Sequence, residues 1–575
     1  MLADLTDYAL VRHRAAFRNV LVASVLLNLI VFAGSIYMML VYDSVLPSHS
    51  IPTLVSLFIL LAILYGIQAV VDQVRARAML AFGNAIYDRL VPRVRRATVA
   101  RSISGGPGSG DRIQPLRDLD QVYNFFVGPG PMAFVDLPWV VVFLLVLFAL
   151  HWALGVTALI GVAILIGIAV LTHRRTLDGT RELGSLTSAR MGASQEAIKT
   201  AESAVAMGML DRLTHRAHAL DKDFLASQSR LTISVARLGG AGRIFRIFLQ
   251  SLILTIGALL VIAGEASGGV ILASSVLSGR ALAPVDQALA NWRGYNAASA
   301  GWDRLQELLA AEVRPAPPQV ALPPPQQVLT VKDLYVAPPG AQHFALTGAS
   351  FTLPAGAALA IIGPSAAGKS TLARALAGIW QPARGEIRLD GARYDQWDQE
   401  LLGKHFGYVS QSVEMFDGTI GENIARFDPE ATSDAIIAAA RAAGMHETIL
   451  GLADGYDTPI SDRGGELSAG QRQRLGLARA LFGDPFLIVL DEPNSNLDAA
   501  GDAALAHAIA GARSRGAIVV LVTHRTATLG PISHVLMLNQ GRVEAFGERD
   551  AVLKKVLADP AQARPLQPVS SAGQR

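Results

Sequence analysis

Six apolar runs, separated by polar stretches of very unequal length, dominate the first half of the chain. They fall near residues 19–41, 51–71, 132–150, 152–171, 244–263 and 269–289, each close to the ~20 residues a helix needs to cross a bilayer. Runs such as Val140-Val141-Val142-Phe143-Leu144-Leu145-Val146-Leu147-Phe148 have no polar face, unlike the amphipathic helices of a soluble core. The runs pair across short turns, but the second-to-third and fourth-to-fifth connections run about 60 to 70 residues. Connections of that length are rarely structureless, and these are amphipathic and rich in Arg, Ala, Leu and Glu, with a glycine-rich interruption at 105–110. The pattern predicts helices that extend beyond the membrane and turn at their tips. Each tip is expected to present a short helix, near Gln114–Phe126 and Ala201–Leu213.

Basic residues alternate across the turns. Arg12, Arg14 and Arg18 precede the first run, the hairpin 42–50 has no Lys or Arg, and Arg75, Arg77, Arg89, Arg93, Arg95, Arg96 and Arg101 fill the next connection. The turn at His151 lacks them, Arg174, Arg175 and Arg181 follow the fourth run, and the turn 264–268 lacks them again. Positive charge stays on the cytoplasmic side, so both termini are expected there. The first run is long and has no small-residue cleavage site after it, which fits a retained span rather than a signal peptide. Arg280 and Asp286 lie in the last run, where an ionisable group faces a water-filled path, pairs, or snorkels from a helix end.

Composition agrees with a membrane protein of more than one domain. Of 575 residues 51% are apolar and 17% charged, and mean hydropathy is +0.36. There is no cysteine, which excludes disulfides, thiolate metal sites and cysteine nucleophiles. A net charge of +3 over this length gives no argument for nucleic-acid binding.

After the helical domain, 1–310, the pattern changes. A proline-rich linker spans 311–327, with Arg314-Pro315-Ala316-Pro317-Pro318 and Pro323-Pro324-Pro325. A soluble domain is expected over 328–557, followed by a Pro/Gln/Ser/Ala-rich tail at 558–575 that reads as disordered. In the soluble domain a short apolar run, Leu359-Ala360-Ile361-Ile362, leads into Gly363-Pro364-Ser365-Ala366-Ala367-Gly368-Lys369-Ser370-Thr371 and then a helix-forming stretch. Strand, glycine loop and helix make a phosphate cradle. Backbone N–H groups wrap a polyphosphate, Lys369 adds positive charge and Ser370 is placed to hold Mg²⁺. A second buried run, Phe486-Leu487-Ile488-Val489-Leu490, ends in Asp491 and Glu492. Asp491 suits an Mg²⁺ shell and Glu492 the polarisation of an attacking water. Ser468 and Gly470 open a helix, where N–H groups form an outward-facing anion site. Gln411 and His524 each follow a strand-like run and suit contacts with a γ-phosphate or its water.

Together and in this order these motifs resemble the ATP-binding-cassette (ABC) superfamily. Gly363–Thr371 is similar to its Walker A loop, Gln411 to the Q-loop, Leu467–Gln471 to the signature motif, Asp491 and Glu492 to Walker B and the catalytic glutamate, Ser495–Asp498 to the D-loop and His524 to the switch histidine. The resemblance implies an α-helical six-span membrane domain with long cytoplasmic extensions, the ABC exporter fold, fused to an α/β P-loop domain. It implies ATP and Mg²⁺ as cofactors, with Glu492, His524 and Gln411 catalytic, residues 363–371, Ser468, Gly470, Gln471 and Asp491 on the nucleotide, and Ser370, Gln411 and Asp491 on the metal. One cassette per chain implies a homodimer, each ATP lying between one Walker A loop and the partner's signature motif. Two positions depart from the pattern. Pro338 stands where an aromatic usually stacks on adenine, with Tyr335 and Phe344 nearby, and Ala469 replaces the commoner glycine of the signature.

In the helical half, Leu40–Ser48, Pro115–Asp120, Asp136–Trp139, Glu202–Leu210 and Gly279–Gln287 are similar to the type I secretion permease/ATPases. The likeness is to the branch that exports proteases and RTX-type proteins and lacks an N-terminal peptidase-like domain. It implies a multi-pass protein of the bacterial inner membrane that works with a periplasmic membrane-fusion adaptor and an outer-membrane channel. The exported protein would carry an uncleaved C-terminal signal. An exporter of lipid or small molecules shares every cassette motif and stays open, as does a non-transporting membrane ATPase acting as a regulator.

Overall fold

The structure, a computed structural model, describes residues 2–104, 113–311, 322–341, 343–461, 467–523 and 530–557, which fall into two compact units. The expected tail, 558–575, the glycine-rich interruption and much of the proline-rich linker lie outside the described residues.

The first unit is all helix. Helix α1 runs Leu2–Leu40 and passes through a π-helical turn, Val41–Val45, before the hairpin. The succeeding helices are α2 Ile51–Ser104, α3 Gln114–Val127, α4 Gly130–Asp136, α5 Trp139–Leu150, α6 Trp152–Lys199, α7 Ala201–Ala206, α8 Leu210–Ile262 and α9 Gly268–Ala311. Among the described residues six helical stretches are long and apolar enough to cross a membrane, one around each run read from the sequence. At 1.5 Å per residue the 54 residues of α2 extend ~80 Å, far beyond a ~30 Å hydrocarbon core. The third stretch is broken, because Pro138 has no N–H to donate and the helix restarts at Trp139.

The two expected tip helices fare differently. At the second connection α7 is a short helix ended by Gly208, whose φ of +63° suits glycine, and α8 starts at Leu210. At the first, the helix at 114–127 runs along its neighbours rather than forming a tip. Its Leu119, Val122, Phe125 and Phe126 pack with Met79, Phe82 and Ile86 of α2 and Ala298, Trp302 and Leu305 of α9. Buried Asp118 accepts two hydrogen bonds from Arg304 of α9, at 2.9 and 2.6 Å. The amphipathic pattern at 114–126 thus reports packing on α9. The turn itself, 105–112, is outside the described residues.

A second core joins Phe143 and Leu147 of α5, Leu154 and Leu165 of α6, Leu249 and Ile253 of α8, and Leu277 and Leu282 of α9. Asp136, the last residue of α4, is tied to two other helices. It accepts from the Ser24 hydroxyl, from the Asn28 amide at 3.0 Å and from Arg75 Nη1 at 3.1 Å. Arg75 and Asp136 are both mostly buried, and Arg75 also pairs with the exposed Asp72 at 2.9 Å, so removing Asp136 costs the guanidinium one of two carboxylates. Asp136→Ala is expected to destabilise the solubilised protein by about 1–3 kcal/mol, and Asp136→Leu with Arg75→Met to recover most of that loss. Thermal melting of the three proteins checks this. Equal midpoints for wild type and Asp136→Ala would remove the pair as a structural tie.

The second unit is α/β. Strands β1 Val328–Val336, β2 Leu346–Pro354 and β4 Arg384–Leu389, with the short strand Ala392–Arg393, form an antiparallel sheet. The main sheet holds β3 Ala358–Ile362, β5 Phe406–Val409, β6 Leu487–Asp491, β7 Ile518–Val522, β8 His534–Asn539 and β9 Arg542–Glu548, in the order β9-β8-β3-β7-β6-β5. All neighbours are parallel except β8 and β9. Both faces are covered, which explains the unbroken apolar runs. Ala358, Ala360, Ile488, Leu490, Val519 and Leu521 enter one core, and Leu359, Ile361, Leu487, Val489, Val520 and Val522 the other.

Candidate nucleotide site

The carboxyl ends of β3, β6 and β7 lie side by side in the parallel sheet, the edge where open α/β sheets bind ligands. From β3 the chain turns through 363–368 into helix α10, Lys369–Leu376. Two glycines are required here by space. A Cβ on Gly363 would lie 2.1 Å from the Leu538 carbonyl oxygen, and one on Gly368 (φ +95°) 2.5 Å from that of Ala345. Pro364, Ser365 and Ala366 are exposed, while Ala367, Lys369 and Thr371 are buried.

Lys369 Nζ donates to the carbonyls of Gly363 (2.9 Å) and Pro364 (2.8 Å), so its ammonium sits within the loop. Burial pushes its pKa down, against the opposing charges of Glu492 and Asp491. Ser370 Oγ donates to Asp491 Oδ1 at 3.1 Å. Asp491, at the end of β6, is fully buried. Burial raises its pKa, with the Ser370 hydrogen bond and the Arg374 charge opposing. Its Oδ2 has no hydrogen-bond partner among the described residues. Glu492 takes φ +51°, a left-handed conformation that is strained for a residue with a Cβ and recurrent at active sites. Gln411 Nε2 donates to Glu492 Oε2 at 3.2 Å. Ser370 meets Asp491 and Gln411 meets Glu492, from three elements distant in sequence. His524 lies outside the described residues.

Leu467 is buried, and Ser468 caps helix α11, Ala469–Leu481. Ser468 Oγ accepts from the Gln471 N–H at 3.3 Å while Gln471 Oε1 accepts from the Ser468 N–H at 2.8 Å. This capping box leaves the remaining first-turn N–H groups at an electropositive helix end. Gly470 lies close to the Asn496 backbone, with 2.9 Å from a virtual Cβ to that carbonyl oxygen. Among the described residues no hydrogen bond joins 468–471 to 363–371 of the same chain.

Two residues carry more than the sequence reading gave them. Gln473 is buried on α11, donates to the Glu492 carbonyl at 3.1 Å and accepts from the Asn496 N–H at 3.2 Å. A glutamine inside the apolar face of a helix was the available signal. Phe344 is half exposed and stacks edge-on against Tyr335, 5.7 Å between centroids. It adjoins Ala345, whose carbonyl packs on Gly368, so of the two aromatics it is the one open beside the phosphate loop.

Family models for the ABC transporter and for the ABC transporter transmembrane region match residues 346–495 and 17–285. The type I secretion system ATP-binding protein PrsD of Rhizobium meliloti (strain 1021) is 47% identical over 95% of this chain and 93% of its own length. The chain belongs to the ABC transporter family. More distant relatives of this ABC transporter include the toxin RTX-I translocation ATP-binding protein of Actinobacillus pleuropneumoniae and the leukotoxin translocation ATP-binding protein LktB of Mannheimia haemolytica. They are 27% and 26% identical over 96% and 95% of this chain and 78% and 77% of theirs. A bacterial Atm1-family ABC exporter with ATP bound shares the fold, with TM-score 0.83 at 19% identity over 97% of this chain and all of that one. The ABC transporter is thus a multi-pass membrane protein whose α/β unit is an ATP-binding ABC ATPase.

Proposed function

We propose that this ABC transporter is the ATP-driven engine of a type I secretion system and exports a protein that carries a C-terminal signal. The observation that carries this reading is the 47% identity with PrsD along nearly the whole of both chains. It works as a homodimer in the bacterial inner membrane, both termini cytoplasmic, with a periplasmic adaptor and an outer-membrane channel. The alternation of basic residues across the turns supports the orientation.

The nucleotide lies on residues 363–371 of one copy and faces the Ser468–Gln471 helix end of the other. Two features support a second copy: among the described residues no hydrogen bond joins the signature residues to their own phosphate loop, and that helix end offers N–H groups to an anion. Mg²⁺ fits Oδ2 of Asp491, which has no hydrogen-bond partner among the described residues, and the Ser370 hydroxyl 3.1 Å from Oδ1, with Gln411 one residue contact away through Glu492. The metal, when bound, neutralises charge on the phosphate oxygens. Lys369 supplies fixed positive charge, Glu492 accepts the proton of the attacking water, and Gln411 and Gln473 hold Glu492 in place. His524 is assigned to the γ-phosphate by its motif alone.

Phe344 is assigned to the adenine face. Phe344→Ala is expected to weaken ATP binding about tenfold while leaving kcat within about twofold, since a stacked base is worth ~1–3 kcal/mol. Titration with a fluorescent ATP analogue checks it, and an unchanged Kd would return the base to Tyr335.

For the function as a whole, the test is the secreted protein content of cells whose only copy carries Glu492→Gln. One or more proteins should vanish from the medium and accumulate inside, and an unchanged secreted set would refute protein export.

A further inference from the structure

Every membrane-crossing stretch but one exposes large apolar side chains, as a lipid-facing surface requires. Examples are Leu29 on α1, Phe58 on α2, Leu145 on α5, Ile160 on α6 and Phe248 on α8. Among the described residues α9 exposes none. Its apolar window is 61% buried where that of α2 is 0% buried, and the positions it exposes fully are small or polar. The exposed positions Arg280, Gln287, Ala290 and Gly294 and the half-buried Ala283 stand at spacings of three and four, on one face of the helix. Beside Arg280, Gly279 has open space where a Cβ would be.

This face also carries unbalanced charge. Arg280 has no ion pair or hydrogen bond among the described residues. The carboxylate of the same stretch, Asp286, is taken by Arg246 of α8 at 2.7 Å. Arg280 is twelve residues from Gly268, roughly 18 Å along the axis, too deep for its head to reach the outer interface with ease. A guanidinium at such depth is tolerated when it faces water or a polar partner.

We propose that this face of α9 lines the path of the exported chain, and that Arg280 makes the path favour polypeptide segments rich in carboxylates. The proposal rests on the export reading above and adds its substrate preference. With Asp286 paired to Arg246, an extended acidic segment passing Arg280 meets attraction with no opposing carboxylate on the face, and a basic segment meets repulsion.

The absence of cysteine makes the lining directly testable. Single Ala283→Cys and, as a lipid-facing control, Phe58→Cys are placed in the full chain and exposed to a charged, water-soluble methanethiosulfonate. Ala283→Cys should react at least about 100-fold faster, because only a hydrated thiol ionises. Equal rates would overturn the lining. For the preference, proteoliposomes are titrated with two 24-residue peptides, repeats of Gly-Ser-Asp and of Gly-Ser-Asn, and the half-stimulating concentrations for ATP hydrolysis are compared within each variant. In the wild type the acidic peptide should act at about tenfold lower concentration, in Arg280→Gln the ratio should fall to about one, and Arg280→Lys should restore it. A ratio retained in Arg280→Gln would overturn the role of Arg280 and leave export standing. If neither peptide stimulates the wild type, this proposal falls, and export stands or falls on the secreted set of the Glu492→Gln cells.

Discussion

Glu492→Gln is expected to slow ATP hydrolysis about a thousandfold while leaving nucleotide binding intact, within the 10²–10⁴ that a positioned general base contributes. The substitution is nearly isosteric and keeps an acceptor for Gln411 Nε2, which now contacts Glu492 Oε2 at 3.2 Å. The backbone ties, from Glu492 N–H to the Val522 carbonyl and from Gln473 to the Glu492 carbonyl, do not depend on the side chain. What is lost is the basic oxygen. The variant should therefore accumulate as an ATP-bound dimer, visible by size-exclusion chromatography as a species that persists with ATP and dissociates without it. Turnover within tenfold of wild type would show that another group takes the proton.

Asp491→Asn is expected to separate stability from activity. Asp491 is fully buried, one of its oxygens has no hydrogen-bond partner among the described residues, and burial holds its pKa above the usual carboxylate value. An asparagine keeps an acceptor for Ser370 and removes the buried charge. Without nucleotide or divalent cation the variant should melt no lower than wild type, and up to about 4 °C higher, a shift of ~1 kcal/mol in a domain of this size. The sign follows from linkage. A raised carboxylate pKa in the fold means stability that is present in acid and lost as pH rises through the folded pKa. The advantage of Asn should accordingly be smallest at acid pH, grow through that window and then level off. Hydrolysis should fall at least about 100-fold at every pH, because the asparagine offers the cation no negative charge. A variant that hydrolyses ATP normally would remove Asp491 from the metal.

The phosphate loop and the two buried strands were legible because their constraints are local. A Cβ has no room at Gly363 or Gly368, and alternate residues of β3, β6 and β7 fill opposite cores, so the demands on residue type are absolute. The membrane stretches were legible for the same reason, each satisfying its own backbone within one helix. Long-range pairings were not. Asp136 finds Arg75 across 61 residues and Asp286 finds Arg246 across 40, and nothing in either local pattern names the partner. The helix at 114–127 was placed correctly and its role misjudged, since an amphipathic face says that one side is buried and not against what. Tyr335 and Phe344 were equivalent on paper until burial distinguished them.

Gln473 lies one turn beyond the residues that open α11. The same rigid helix therefore offers its N–H groups outward at one end and, a turn later, props the carbonyl of its own Glu492 and the amide of Asn496. In the homodimer proposed above, each such rod belongs to both reactions, contacting the neighbour's nucleotide while bracing its own base. The two centres are then mechanically in series. Hydrolysis at one changes the footing of the other, so a change confined to one of the two nucleotides alters the rate at both.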